Sequence, residues 1–290
     1  MREVSMRFGT GMVGTLCLPE GAGNAQGLGA VLFNAGVVHR IGPHRVNVKL
    51  ARALAACGVP SIRFDLRGLG DSLPASDGLP HEEQVVADLR LAIDELQRAS
   101  EASRITVLGF CSGVLPSVRC AQADERVIQV VLYDGIAVPT WRARRRYLFQ
   151  RLQARALDPR ALARVLLRFV PRLRQALARQ PAGALSGDSM LPRPVDLAPA
   201  LAALSARRVD IVVVHAGADH SEVNYAEQAA EAFAACGIHG PRFELLDTVD
   251  HVLTSTVAQV LFADGIRDIM LQTPRASSCA AAGSAQELVA

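Results

Sequence analysis

Hydrophobic residues along this chain alternate between short apolar runs and longer stretches with helical spacing. Residues 4–8 and 12–18 predict an opening β-hairpin, and later apolar runs predict buried strands. Those runs are residues 30–33, 61–65, 105–108, 127–133, 211–215 and 242–246. Helical spacing falls between them, at residues 44–57, 82–99, 112–121, 221–236 and 252–271. This alternation predicts an α/β fold, an eight-stranded and mostly parallel sheet with helices on both faces.

One interruption breaks the alternation between the sixth and seventh predicted strands. Residues 138–208 are too many for a simple connection, so they predict a helical cap inserted after the sixth strand. The core is then expected to consist of residues 1–137 and 209–272. Residues 273–290 are rich in Ala, Ser and Gly and have little to bury, which predicts a disordered tail.

Composition narrows the class of protein. With 290 residues, 50% hydrophobic and 20% charged, the chain can bury a large core without disulfides or metals. Its six cysteines form no C-x-x-C pair and have no zinc-type spacing with histidine, so we predict no metal, no cofactor and a reducing cytoplasmic location. The amino terminus lacks the apolar core of a signal peptide, and no run approaches the roughly 18 apolar residues of a membrane span. We therefore expect a soluble, unprocessed protein.

The most informative motif is Gly109-Phe110-Cys111-Ser112-Gly113, directly after a predicted strand. It has the form of a nucleophile elbow, in which a strand turns sharply into a helix and small residues on either side of the nucleophile let the backbone close. The amino terminus of the following helix would favour a thiolate at Cys111. The alternative is an ordinary free cysteine, buried as a small apolar side chain.

The order of elements and motifs resembles the α/β-hydrolase superfamily over residues 1–272. Besides the elbow, the resemblance includes the turn Asn34-Ala35-Gly36-Val37 and the segment Asp65-Leu66-Arg67-Gly68-Leu69-Gly70-Asp71-Ser72. It implies that the turn is an oxyanion loop, with the backbone N–H groups of Val37 and Ser112 as donors, and that the segment from Asp65 is mainly structural. A cysteine in the elbow is similar to dienelactone hydrolases and to bacterial hydrolases associated with exosortase or biosynthetic clusters.

The resemblance also implies an acid and a base, in the chain order nucleophile, acid, histidine. His251 follows the eighth predicted strand and Asp219 lies just beyond the seventh, so the predicted triad is Cys111, Asp219 and His251. Asp219 also has the position of a helix cap. Asp134, at the end of the sixth strand, is the alternative acid, because some related enzymes supply the acid from that position. His215 lies on the wrong loop for the family's base.

Charge is divided unevenly along the chain. The segment from Trp141 to Arg208 has 15 arginines and three aspartates, a net charge of +12 in a chain whose total is +3, so the remainder carries −9. Arginines that simply solvate helices and pair with the acidic remainder of the chain are one interpretation. A receptor for an anionic acyl donor, such as CoA or the phosphopantetheine of an acidic carrier protein, is the second, and docking on an anionic membrane surface is the third. Few stacking aromatics and no recognition motif accompany the arginines, which argues against nucleic acid.

Four further residues are candidate substrate contacts. His39 and Arg45 follow the predicted oxyanion loop, and Trp141 and Tyr147 stand at the start of the predicted cap. The sequence thus predicts an acyl hydrolase or acyltransferase that acts on a thioester or ester through an acyl-cysteine intermediate. The alternative is a catalytically retired hydrolase fold that binds a carrier protein or a membrane surface.

Overall fold

A computed structural model of the chain describes residues 1–21, 27–143, 145–146, 149, 191–218 and 223–272. Its strands are β1 (Arg2–Phe8), β2 (Met12–Leu18), β3 (Leu28–Leu32), β4 (Ser61–Phe64), β5 (Arg104–Phe110), β6 (Val127–Tyr133), β7 (Asp210–Ala216) and β8 (Arg242–Leu246). They form one eight-stranded sheet in the order β1-β2-β4-β3-β5-β6-β7-β8. β2 pairs antiparallel with β1 and with β4, and the pairings from β4 to β8 are parallel. The predicted fold class is confirmed.

Helices cover both faces of the sheet, because its parallel strands are apolar on both sides. They are α1 (Val46–Ala56), α2 (His81–Ala99), α3 (Val114–Ala123), α4 (Pro194–Ala206), α5 (Gln228–Ala234) and α6 (Thr256–Leu271). Leu54 of α1 and Phe262 of α6 belong to one buried cluster. Leu89 of α2 and Val118 of α3 belong to the cluster on the opposite face, which also includes residues of α4 and α5.

Side-chain caps explain where the last helix differs from its prediction. α6 begins at Thr256 rather than at residue 252, because the carboxylate of Asp250 accepts the N–H groups of Val252 at 3.2 Å and Thr254 at 3.0 Å. Those bonds hold a turn. The hydroxyl of Ser255 then accepts the N–H of Ala258 at 3.0 Å and starts the helix.

The structure describes only the two ends of the predicted cap. At the far end, α4 buries Leu197, Leu201 and Leu204 in the same cluster as Val118 of α3, so this helix packs as part of the core layer. Residues 151–190 and the predicted tail at residues 273–290 lie outside the described residues, and the cap and the tail remain predictions. Within the described part of the chain, no helix combines the length and apolar character that crossing a bilayer requires.

Candidate active site

β5 ends in a strained turn at Cys111. The φ of Cys111 is 52°, in the left-handed region that a residue other than glycine adopts at a cost of about 1–3 kcal/mol. Close packing holds the turn in place. A Cβ on Gly109 would lie 2.7 Å from the carbonyl oxygen of Gly113, and one on Gly135 would lie 2.1 Å from that of Cys111. With α3 starting at Val114 directly behind it, the half-buried thiol has the geometry of a nucleophile elbow.

His251 lies between the Cys111 thiol and a buried carboxylate. Its Nδ1 is 2.6 Å from Oδ2 of Asp134, and the imidazole also hydrogen-bonds Cys111. Because Asp134 takes Nδ1, Nε2 is the nitrogen left to face the sulfur. Asp134 follows β6 directly and has a φ of 49°, a second strained residue beside the elbow. The structure therefore places the alternative acid against His251.

The contacts among Cys111, His251 and Asp134 shift the pKa values of all three side chains. The bond with His251 holds the pKa of Cys111 below its ordinary value, helped by the N–H of Ser112 and opposed by burial. The bonds to Asp134 and Cys111 raise the pKa of His251 to about 10. Burial alone would raise the pKa of Asp134, but hydrogen bonds from two imidazoles outweigh it and lower that pKa to about 2. Together the shifts favour a thiolate paired with an imidazolium at neutral pH.

A second histidine contacts the same carboxylate. The side chain of His215, on β7, is only 2% exposed, and its Nδ1 lies 3.3 Å from Oδ1 of Asp134. Asp134 thus contacts one imidazole with each oxygen. Among the described residues, Nε2 of His215 has no hydrogen-bond partner. His215 is not part of the predicted triad. The signal that finds it is the pairing of β6 with β7, in which the N–H of Asp134 donates to the carbonyl of Val214 at 2.9 Å.

The loop after β3 reaches the elbow through Ser112. The N–H of Gly36 donates to Oγ of Ser112 at 2.7 Å, and the N–H of Val38 donates to the carbonyl of Ala35 at 3.0 Å. In the described part of the chain, the N–H of Val37 has no hydrogen-bond partner. The N–H of Ser112 is directed at the neighbouring sulfur. The two amides named as oxyanion donors from the sequence are therefore on neighbouring segments, one of them free and the other beside the thiol.

A buried carboxylate anchors this loop to the end of β4. The side chain of Asp65 is completely buried and accepts the side-chain N–H of Asn34 at 2.9 Å and the backbone N–H of Arg40 at 2.7 Å. The guanidinium of Arg40 also contacts Asp65, Asp71 and His39. His39, Asp65 and Asp71 have ligand atoms close enough for a metal ion, but the guanidinium already lies among them. The group is a structural ion-pair network.

Aromatic rings pack around the histidine. The ring of Phe110 meets that of His251 edge-on at 6.0 Å between centroids, and it packs against Tyr133 at 4.7 Å and Phe262 at 5.8 Å. The hydroxyl of Tyr133 donates to the carbonyl of Asp250 at 3.3 Å. An apolar surrounding strengthens the hydrogen bonds inside it, so these rings support the His251–Asp134 contact.

The remaining predicted site residues are dispersed. Trp141 is 69% exposed, Arg45 is an exposed residue in the left-handed region just before α1, and His39 is part of the Asp65 network. Asp219 and Tyr147 lie outside the described residues.

Solved structures share this fold. A dienelactone hydrolase from Anabaena variabilis is 16% identical, with a TM-score of 0.55 over 94% of this chain and 99% of that one. A serine hydrolase without a lid from Xanthomonas campestris is also 16% identical, with a TM-score of 0.52 over 94% and 98% of the two chains. An esterase from Pyrococcus furiosus is 16% identical, with a TM-score of 0.53 over 95% and 91%. At such identities the likeness shows the fold alone.

Sequence similarity to a family is found over most of the chain. No curated protein matches the sequence. The profile of the family described as "Alpha/beta hydrolase family" matches residues 32–263, a range that includes Cys111, Asp134 and His251. The chain therefore belongs to the alpha/beta hydrolase family and is a hydrolase.

Proposed function

We propose that this hydrolase attacks a thioester or ester with Cys111, using His251 as the base and Asp134 as the acid. The observation that carries the proposal is the position of His251 between the Cys111 thiol, whose pKa it lowers, and the Asp134 carboxylate, which lies 2.6 Å from its Nδ1. A cysteine in a strained elbow, with its pKa lowered by an imidazole, is a nucleophile at neutral pH.

The mechanism follows from the positions of these groups. The Cys111 thiolate attacks the carbonyl carbon, a C–S bond forms, and the carbonyl oxygen takes the negative charge, stabilised by the N–H groups of Val37 and Ser112. As the oxyanion collapses, the bond to the leaving thiol or alcohol breaks and His251 gives that group its proton. Water, or an acceptor alcohol or amine, then loses a proton to His251 and attacks the acyl-cysteine. The acid or transferred acyl product leaves, and Cys111 is restored.

Asp134 rather than Asp219 is our proposed acid, because its carboxylate contacts Nδ1 of His251 and is held near a pKa of about 2. An ionised carboxylate at Nδ1 keeps the imidazole oriented and stabilises the imidazolium. Asp219, which lies outside the described residues, is the alternative acid, and substitution of each aspartate in turn distinguishes the two.

A thioester with an anionic carrier, CoA or an acidic acyl carrier protein, is our proposed donor. The arginine-rich segment leaves the sheet a few residues after Asp134, on the side where His251 must protonate the leaving group. At its described start, the guanidinium groups of Arg142 and Arg146 lie over the ring of Tyr225 at 4.3 Å and 5.2 Å, and Arg142 also pairs with the carboxylate of Glu231 at 2.9 Å. Guanidinium groups are well suited to phosphates.

The test is acyl trapping on the intact protein. The protein is incubated with a panel of acyl-CoA thioesters and p-nitrophenyl esters, and intact-mass spectrometry records the added acyl mass and its position. We expect acylation at Cys111, loss of trapping and turnover in Cys111→Ala, and normal behaviour of Cys57→Ala, which removes an exposed thiol. Trapping that persists in Cys111→Ala, or none with any donor, contradicts the proposal.

The donor is tested by matched leaving groups. The same acyl group is offered as a CoA thioester and as an N-acetylcysteamine thioester, which lacks the phosphates. We expect kcat/KM to favour CoA at least about tenfold at low salt, with the ratio falling as KCl is raised because ions screen charge pairs. Equal rates at all salt concentrations contradict a role for the arginines in donor binding.

A further inference from the structure

An apolar cleft of about 340 Å³ opens beside the oxyanion loop. Most of its lining side chains are apolar: Phe33, Val37, Leu66, Leu69, Val85 and Pro116. Phe33, Leu66 and Val85 are buried in the core, while Leu69 and Pro116 are partly exposed and Val37 is 86% exposed. The walls are therefore rigid at the base of the cleft and more open toward solvent.

Three side chains that line this cleft are polar, Asn34, Ser112 and His81, and of these only Asn34 is buried. Asn34 uses both ends of its amide internally, donating to Val38 and Asp65 and accepting the N–H of Leu66. Ser112 accepts the N–H of Gly36. The third polar side chain is the exposed imidazole of His81, at the start of α2, and no arginine, lysine, aspartate or glutamate is among the lining residues. A carboxylate or phosphate at the buried base of the cleft, among Phe33, Leu66 and Val85, would lose its water without gaining a partner from these side chains, which is costly.

Sheet order decides which part of a substrate the cleft receives. β5, which carries Cys111, has β3 and β4 on one side and β6, β7 and β8 on the other. The cleft is lined from the β3 and β4 side, whereas Asp134 and His251 follow β6 and β8. Because His251 must hand its proton to the leaving group, the leaving group faces the β6–β8 side. The group on the other side of the carbonyl then points into the cleft.

We propose that this cleft binds the acyl chain, and that the chain is uncharged, apolar and of medium length; the assignment rests on the proposed function. A group of the size of a water molecule takes about 30 Å³, so the volume of the cleft corresponds to on the order of ten such groups. Because the cleft is open to solvent, an enclosed chain has fewer carbons than that. An acyl chain of about six to eight carbons fits this space. Longer chains must extend into solvent, and acetyl leaves the cleft empty.

Chain-length profiles test the assignment. We expect kcat/KM for straight-chain acyl-CoA thioesters to rise about fourfold per methylene from acetyl to hexanoyl or octanoyl and then level off. Succinyl-CoA, with a charged end on a short chain, should be at least about 100-fold poorer than butyryl-CoA. Equal kcat/KM across the series, or a preference for succinyl over butyryl, overturns the proposal.

Substitutions at Leu69, a partly exposed wall of the cleft, locate the effect. Leu69→Trp should abolish the gain in kcat/KM that wild type shows from acetyl-CoA to the longer acyl-CoA thioesters. Leu69→Ala, a smaller side chain that is less disruptive to folding, should shift the chain length at which kcat/KM stops rising to longer acyl chains. Leu261→Trp, an exposed leucine on α6 outside the cleft, is the matched control and should keep the wild-type profile.

A change of leaving group at constant acyl chain distinguishes binding of the acyl chain from binding of the leaving group. In Leu69→Trp, the ratio of hexanoyl-CoA to hexanoyl-N-acetylcysteamine rates should equal that of wild type. If the substitution changes this ratio and leaves the chain-length profile unchanged, the cleft receives the leaving group and our assignment is wrong. Failure of every donor to acylate wild-type Cys111 instead contradicts the proposed function itself, and the acyl assignment with it.

Discussion

The two sides of β5 use their charged residues in opposite ways. Toward β6, β7 and β8, the charged and titratable groups converge on the Cys111 sulfur: Asp134 contacts His215 and His251, and His251 contacts Cys111. Toward β3 and β4, the charged groups bind one another below the loop that we propose as the oxyanion loop, and the apolar cleft lies beside that loop. The same residue types therefore hold a loop on one side, and on the other they surround the thiol that we propose as the nucleophile.

This difference comes from what each carboxylate meets. Asp65 contacts the guanidinium of Arg40, which keeps its proton at ordinary pH, as well as the imidazole of His39 and backbone amides, so its charge holds a loop in place. Asp134 contacts two imidazoles, and one of them, that of His251, also contacts the Cys111 thiol. A buried carboxylate is therefore a structural anchor or, as we propose for Asp134, part of a proton relay, according to its partners. Three substitutions and one pH profile test this contrast.

The largest effect is expected from Asp134→Asn. An amide at this position no longer stabilises the imidazolium of His251, so we expect kcat/KM to fall by about 10³-fold or more in a protein that remains folded. Steady-state kinetics and circular dichroism measure the two properties. Asp219→Asn is the matched control and should change kcat/KM less than about threefold. The reverse pattern, with Asp219→Asn inactive and Asp134→Asn near wild type, would identify Asp219 as the acid.

Asp65→Asn should give the opposite result, a loss of stability without a loss of chemistry. Removing one partner of a buried ion pair costs about 3–5 kcal/mol, and Asp71 still faces Arg40, so we expect about 3 kcal/mol of destabilisation in urea unfolding. The folded fraction should keep the alkylation rate of Cys111 within about threefold. An unchanged unfolding midpoint together with an unreactive Cys111 would show that Asp65 belongs to the chemistry.

His215→Phe is expected to have a smaller effect on turnover. Without the Nδ1 contact, one oxygen of Asp134 loses its partner, and we expect kcat to fall about tenfold with little change in KM. His215→Asn places an amide N–H near the position of Nδ1 and should recover most of that rate. A purely structural role predicts something else: both variants would move the unfolding midpoint, and neither would change kcat in the folded protein.

The smallest effect is the pH dependence of thiol reactivity in the wild-type protein. Because His251 lowers the pKa of Cys111, the thiolate persists as pH falls below the ordinary thiol range of about 8.5, and it is lost only in more acidic solution. Iodoacetamide should therefore label Cys111 at pH 6 several-fold faster than the exposed thiols of Cys57 and Cys236, as read by peptide mass spectrometry. In His251→Ala the Cys111 profile should move to higher pH. A profile unchanged by that substitution would rule out the thiolate–imidazolium pair.

Local sequence signals predicted the elements well. The run at residues 127–133 coincides with β6 at both ends, because an uninterrupted apolar run with β-branched residues fits a buried parallel strand. The start of α6 was predicted four residues too early, because hydrophobic spacing does not register the Asp250 carboxylate that holds residues 252 and 254 in a turn. Side-chain hydrogen bonds to backbone amides decide such boundaries.

For the candidate site, too, local sequence signals predicted some residues and tertiary contacts decided the others. The chain by itself determined the elbow at Cys111 and the histidine at His251, because small residues at fixed spacing and the order of strands are local, readable properties. Tertiary structure decided which carboxylate meets the histidine, and it brought in His215 and the apolar cleft. Asp134 and His251 are 117 positions apart, and Asp134 and His215 are 81 apart. Only the pairing of β6 with β7 and of β7 with β8 brings these side chains within hydrogen-bonding distance.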